Sequence, residues 1–190
     1  MKILIDNGHG EDTKGKSSPD GKLKEYAYTR EIASRVVDML KCKGLDAELL
    51  TPETEDVSLA ERVARANEHN PSDTILVSIH VDAKGDGTKW MDATGWSSRV
   101  YLTCSENTKK LASALTEAAG KQGLKIRRQY SDKDYWTQNL YLLRKTKCPA
   151  VLTENLFQDN REDVDFLLTE EGKQKITDLH VEGICNYIGL

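Results

Sequence analysis

Short apolar runs along the chain alternate with longer stretches in which apolar residues recur every three or four positions. The runs Ile3-Leu4-Ile5, Ile75-Leu76-Val77-Ser78-Ile79 and Ala150-Val151-Leu152 are continuous rather than alternating, which suits strands buried on both faces. The pattern predicts strands over Lys2 to Asn7, Leu45 to Thr51, Thr74 to His80, Gly95 to Thr103, Leu140 to Arg144 and Ala150 to Asn155. Between them, Tyr28, Ile32, Val36 and Leu40 mark one face of a helix from Glu25 to Lys43, with Gly44 placed to end it. Ser58-Leu59-Ala60-Glu61 is a capping box opening a helix that runs to Asn70, before Pro71. Further helices are expected over Thr108 to Gly123 and from Thr169 to the end, the last with Ile176, Leu179, Ile184 and Ile188 facing inward. Residues 8 to 24 are polar and carry the turn Pro19-Asp20-Gly21, a loop able to bring Glu25 back to the first strand's end. Strands alternating with helices predict an α/β fold: a central, mostly parallel, twisted sheet of about six strands with helices on both faces.

The 190 residues fit a single domain spanning the whole chain. Charges of both signs are interspersed and the net charge is −4, so nucleic acid is not an expected partner. No run approaches the roughly 18 apolar residues of a membrane span, and the apolar start is too short for a signal-peptide core. A protein without membrane contacts, and a monomer, is expected. As numbered, the chain would stay in the cytoplasm until released, or would be the mature form of an exported protein. Cys42, Cys104, Cys148 and Cys185 form no C-x-x-C pair and are expected to be reduced and mostly buried.

Chemistry concentrates at strand ends. His9, in Asp6-Asn7-Gly8-His9-Gly10, follows the first strand; His80 ends the third; Glu154 ends Ala150-Val151-Leu152-Thr153-Glu154. If these strands are parallel, their carboxyl ends share one sheet edge, and Glu25 at its helix start lies there too. His9, Glu25 and His80 would supply two imidazoles and a carboxylate to a zinc ion, leaving a fourth position for water. The glycines flanking His9 would let the backbone turn sharply and hold the imidazole over the cleft. Glu154 would be the spare carboxylate that moves protons, since ending so apolar a run with an unpaired charge is costly.

These segments resemble the zinc-dependent N-acetylmuramoyl-L-alanine amidases, the class of bacterial autolysins and phage endolysins. The resemblance covers nearly the whole chain. It is carried by Ile5-Asp6-Asn7-Gly8-His9-Gly10, Glu25, Ser58-Leu59 with Arg62 and Ala66-Asn67, Ser78-Ile79-His80, Leu142-Leu143-Arg144, Pro149 to Glu154, and then Phe157, Asn160 and Asp163. It implies that His9, Glu25 and His80 are zinc ligands and Glu154 the catalytic glutamate. It also implies that Arg62 and Asn67 are structural, mid-helix and away from the cleft. Arg144 matches a family arginine near the cleft, where it would contact a substrate carboxylate or serve as a plain surface residue. The chain departs from the family's pattern at Val81-Asp82, in place of a small residue and asparagine, and at Asn155, in place of glycine. The segment Gly85 to Trp96 would border the cleft and shape recognition of glycan or stem peptide, or be a surface loop.

The implied activity is hydrolysis of the amide joining N-acetylmuramic acid to L-alanine in peptidoglycan, in cell-wall lysis or remodelling. Three alternatives stand beside it: a non-catalytic peptidoglycan-binding module, a zinc amidase of the same fold acting on another amide, and a cysteine hydrolase pairing Cys148 with His80. The last lacks a helix N-terminus to activate the thiol.

Overall fold

The computed structural model describes residues 1–130 and 132–190. Six strands form one sheet: β1 (Lys2–Asn7), β2 (Asp46–Leu49), β3 (Thr74–Asp82), β4 (Ser97–Val100), β5 (Trp136–Thr137) and β6 (Ala150–Phe157). Their order is β2-β1-β3-β6-β4-β5. β2, β1, β3 and β6 are mutually parallel, whereas β4 runs antiparallel to β6 and carries β5 parallel to itself. Six helices accompany them: α1 (Glu25–Cys42), α2 (Leu59–Glu68), α3 (Glu106–Lys121), α4 (Tyr141–Lys145), α5 (Arg161–Leu167) and α6 (Glu170–Ile188).

Because successive strand residues point to opposite faces, each apolar run feeds two cores. Ile3, Ile5, Ile75, Val77, Ile79 and Val151 pack with α1, α3 and α6. Leu4, Leu76, Ala150 and Leu152 pack with Val63 and Ala66 of α2 and Leu142 and Leu143 of α4. The second layer is built from helices of only 10 and 5 residues. They cover the lower part of their face and leave its upper part, at the carboxyl ends of β1, β3 and β6, open. Asp6, His80, Glu154 and Arg99 all emerge on this face.

Element ends follow local chemistry. Ser58 caps α2 by accepting from the Glu61 amide at 3.2 Å, and Thr169 caps α6 by accepting from Gly172 at 2.9 Å. Gly44, with φ of 80°, follows α1 in the left-handed region. Three expectations are corrected. Leu140 to Arg144 is not a strand but the N-cap and first four residues of α4, because so short an apolar run carries no periodicity to distinguish the two. The helix expected from Thr108 starts at Glu106, since Ser105 is its cap and accepts from the Thr108 amide. The short elements α5 and β5 were not foreseen. Of the cysteines, all unpaired, Cys148 and Cys185 are buried, Cys104 is half-buried and Cys42 is exposed, so only half meet the expected burial.

Candidate active site

The loop between β1 and α1 is stitched so that Glu25 returns to the sheet. Leu23 is fully buried, Ser18 and Leu23 bond through their backbones, and the Glu25 amide donates to the Lys16 carbonyl at 2.9 Å. The Glu25 side chain is thereby 1% exposed, which an ordinary first-turn carboxylate would not be. Its Oε1 accepts from the Val81 amide at 3.0 Å and lies 3.2 Å from His80 Nδ1. Its Oε2 lies 3.4 Å from His9 Nε2. The two imidazoles stand edge to face, with centroids 5.2 Å apart. One donor atom from each of His9, Glu25 and His80 falls within 4.8 Å of the others.

His9 is held in the left-handed region at φ of 63°, an uncommon conformation for a side chain of this size. Arg30 fixes it by donating to the His9 carbonyl at 2.8 Å, and Thr29 donates to the Gly8 carbonyl at 3.0 Å. The sharp turn thus sits on the histidine itself, and the flanking glycines serve close approach. A Cβ on Gly8 would fall 2.5 Å from the His80 ring, and one on Gly10 would fall 2.0 Å from the Asp56 amide.

Burial lowers the His9 pKa to about 4, against the pull of Glu25. Burial also disfavours charge on His80, but its hydrogen bond and ion pair with Glu25 prevail and raise its pKa. The same pairing with His80 overcomes the desolvation of Glu25 and lowers the carboxyl. His9 is therefore neutral at neutral pH, while Glu25 and His80 each favour the other's charged form. Glu25 Oε2, buried, has no hydrogen-bond partner among the described residues. Two imidazole nitrogens and a partly unsatisfied buried carboxylate match the donor set of a catalytic zinc site. A metal at this site would require both imidazoles in the neutral form.

Glu154 stands one strand away, in register with His80. Burial pushes its pKa up to about 7, opposed by Arg99, whose Nη1 lies 3.5 Å from Oε1. Its Oε2 is buried and makes no hydrogen bond among the described residues. A carboxyl poised near neutrality with a free oxygen is suited to general acid-base work. His9 and His80 also border a cavity of about 350 Å³, whose apolar wall includes Val57, Leu59, Leu140, Tyr141 and Leu152.

The model of the N-acetylmuramoyl-L-alanine amidase family, Amidase_3, matches residues 3–186. The chain belongs to this family. CwlM of Bacillus licheniformis, named an N-acetylmuramoyl-L-alanine amidase, is 30% identical over 192 residues, covering 100% of this chain and 70% of that protein. The endolysin of Bacillus phage SPP1 is 26% identical, covering 99% of this chain and 66% of the phage protein. Among solved structures, an N-acetylmuramoyl-L-alanine amidase of Clostridium difficile 630 superposes with a TM-score of 0.84 at 25% identity, covering 99% of this chain and 96% of that one. Ami1 of Mycobacterium smegmatis, at 19% identity and a TM-score of 0.86, shares the fold over 100% of this chain and 97% of its own.

Within this amidase-family chain the sequence-expected residues are distributed unevenly. His9, Glu25, His80 and Glu154 converge. Arg144 does not join them: it borders a separate depression with Tyr101 and Cys148, donates to Asn139 at 2.7 Å and lies over the Tyr141 ring. Asn67 is structural, tying α2 to the segment before β6 through the Lys145 carbonyl and the Lys147 amide. Arg62 also has a structural role, yet its placement away from the cleft is corrected. It is 3% exposed, donates to Asp6 at 2.7 Å and to the Asn7 carbonyl at 2.6 Å, and lines the same cavity as His9 and His80.

The Gly85 to Trp96 segment is pinned rather than loose. Asp159 accepts from the Lys84 and Gly85 amides, Asp163 accepts from Thr94, and the buried Trp96 donates to Asn155 at 2.7 Å. Asn155, which departs from the family's glycine, also donates to the His80 carbonyl at 2.9 Å and so reaches a ligand candidate through its backbone. Sequence reading missed Asp82 and Arg99 as neighbours of Glu154, and Arg127 as the second partner of Asp82. The one available signal was an arginine among the small residues of the strand Ser97–Val100, which is otherwise buried. No helix among the described residues is long and apolar enough to cross a membrane.

Proposed function

We propose that this chain hydrolyses the amide between N-acetylmuramic acid and L-alanine of peptidoglycan, with His9, Glu25 and His80 holding zinc and Glu154 carrying protons. The observation behind this reading is the convergence of the three donors within 4.8 Å, with Glu154 in register beside His80 and its Oε2 free of hydrogen bonds among the described residues. When bound, zinc supplies positive charge that acidifies water and polarises a carbonyl. The remaining work belongs to side chains. Glu154 takes a proton from the attacking water at Oε2, then returns it to the leaving L-alanine nitrogen. A carboxyl with a pKa near 7 can do both at neutral pH. Arg99 stabilises its ionised form from 3.5 Å. The cavity beside His9 presents a largely apolar wall on one flank of the site. Arg144 lies outside the reacting centre in this reading. A thiol mechanism is disfavoured because burial raises the Cys148 pKa to about 11.

The place of action follows from the substrate: the cell wall, in keeping with the endolysin and amidase relatives. The test is to incubate zinc-loaded protein with purified peptidoglycan and identify new termini by mass spectrometry, with Glu154→Gln alongside. Wild type is expected to release L-alanine amino ends, and the variant to be slower by roughly 100- to 10,000-fold with zinc retained. New termini at another amide would redirect the substrate assignment. Wall binding without any product would favour a non-catalytic module and refute the amidase.

A further inference from the structure

Next to Glu154 the open sheet face carries a second polar constellation that acid-base chemistry does not use. Arg99 Nη2 and Arg127 Nη1 both donate to a single oxygen of Asp82, at 2.6 and 2.7 Å. Arg99 also donates to Gln138 at 2.8 Å. The Arg127 guanidinium lies between aromatic rings, 4.9 Å from the Trp136 centroid and 4.5 Å from that of Phe157. Trp136 is itself fixed by donating from Nε1 to the Arg127 carbonyl at 3.0 Å. Both guanidinium planes are thus set before any ligand arrives, which lowers the entropic cost of forming further bonds.

Donors exceed acceptors here. Two arginines offer ten N–H groups, and among the described residues their side chains spend only three on hydrogen bonds, to Asp82 and Gln138. Arg99 Nε is buried without a partner. The Arg127 side chain keeps 24% of its surface open, twice the 12% of Arg99. Asp82 neutralises one of the two positive charges. Glu154 balances Arg99 from 3.5 Å when ionised, so the capacity for a further acceptor lies in the unspent N–H groups of Arg127, the more exposed of the two side chains. That arrangement suits a carboxylate, which a guanidinium fork can bind with two parallel bonds.

We propose that Arg127, positioned by Asp82 and Arg99, binds a carboxylate of the stem peptide; this rests on the amidase reading above. The carboxylate in reach is that of the second stem residue, a D-glutamate linked through its γ-carboxyl, which leaves its α-carboxylate free. From the scissile nitrogen, one Cα-to-Cα step and two bonds place that group roughly 6 Å away. Adjacent strands are about 4.8 Å apart, so a peptide whose scissile bond lies at Glu154 on β6 and which runs across β4 towards β5 brings the carboxylate to the arginine pair.

The test compares two soluble muramoyl peptides, identical except that the second residue carries a free α-carboxylate or the corresponding amide. The kcat and KM of the zinc-loaded protein are measured on each. Wild type is expected to favour the acid by about tenfold or more in kcat/KM, mostly through KM, because the amide cannot accept the paired charged bonds. Arg127→Gln should bring the ratio close to one, and Arg127→Lys should leave it between the two. The ratio is taken within one preparation, so an unfolded fraction cancels. Equal cleavage of both peptides by wild type, or a preference that survives Arg127→Gln, overturns the carboxylate site and leaves the amidase standing. Cleavage of neither by wild type removes the amidase reading and the subsite with it.

Discussion

Gly8→Ala tests whether His80 is placed as tightly as the geometry requires. Gly8 lies outside the positive-φ region, so the backbone accepts alanine, but the new methyl would fall 2.5 Å from His80 Cε1 and Nδ1. Carbon atoms come into contact at roughly 3.5 Å, so something must move by about 1 Å. The backbone cannot give way freely. The Gly8 amide donates to the Ile79 carbonyl at 2.9 Å and its carbonyl accepts from Thr29 at 3.0 Å. The imidazole therefore moves, and with it Nδ1, the atom 3.2 Å from Glu25. Metal ligands tolerate displacements of only about 0.2 Å, and even disturbing the groups that orient a ligand weakens binding by about 10- to 100-fold. A loss of at least this size, about 1.4–2.7 kcal/mol, is expected in zinc affinity, read by competition against a chromophoric chelator. Gly120→Ala is the control, since nothing lies within 4 Å of its added methyl in α3. It should bind zinc as the parent does. Parental zinc affinity in Gly8→Ala would refute the reasoning, and failure of the parent to bind zinc would remove the metal centre itself.

Two further predictions concern stability. Arg62→Met strips the partner from Asp6, which is 1% exposed, and breaking so buried a pair should cost about 3–5 kcal/mol in urea unfolding. Asp6→Asn combined with Arg62→Met should be milder than the sum of the single changes, and strict additivity would show that the pair is not coupled. His180 is fully buried, with Nε2 2.9 Å from Thr153 Oγ1 and Nδ1 2.7 Å from the Ile176 carbonyl, and burial lowers its pKa to about 4. The folded value lies below the ordinary ~6.5 of an unfolded chain, so its contribution is complete above pH 6.5 and is lost as pH falls towards 4. That loss is of order 3 kcal/mol. His180→Gln should flatten the fall in unfolding free energy between pH 7 and pH 4, and an unchanged slope would assign the acid sensitivity to other groups.

How much of the site could be read in advance depended on whether backbone direction alone fixed a side chain's position. His80 and Glu154 were expected to end parallel apolar strands; β3 runs on to Asp82 and β6 to Phe157, yet strand direction alone still placed both near one edge before any side-chain packing was known. β1 was legible residue for residue for the same reason, because a continuous apolar run bounded by a charged lysine and a polar turn has few other solutions. Glu25 was harder. Its helix carries no capping side chain, since Lys24 at that position makes no side-chain capping bond, and only the return of the loop through Leu23 and Lys16 brings the carboxylate inward.

The arginines mark the limit of such reading, and they show why it exists. Arg62, Arg99 and Arg127 come from a helix, an edge-side strand and an irregular segment, and each reaches the cleft through a long side chain whose direction depends on an acceptor distant in sequence. For Arg62 those acceptors are Asp6 and the Asn7 carbonyl; for Arg99 and Arg127 the shared acceptor is Asp82. No periodicity encodes such a pairing, because it is made by the register of β3, β6 and β4 after the sheet has formed. Arg144 illustrates the converse. Its segment resembled the family's, but α4 turns where a strand was expected, and a helical turn sends successive side chains about 100° apart instead of to alternate faces. Leu142 and Leu143 then fill the core while Arg144 is directed to a neighbouring depression. Strand ends thus encode the reacting groups, whereas the charges that would orient a substrate around them are set by tertiary contacts, so their roles have to be tested one arginine at a time.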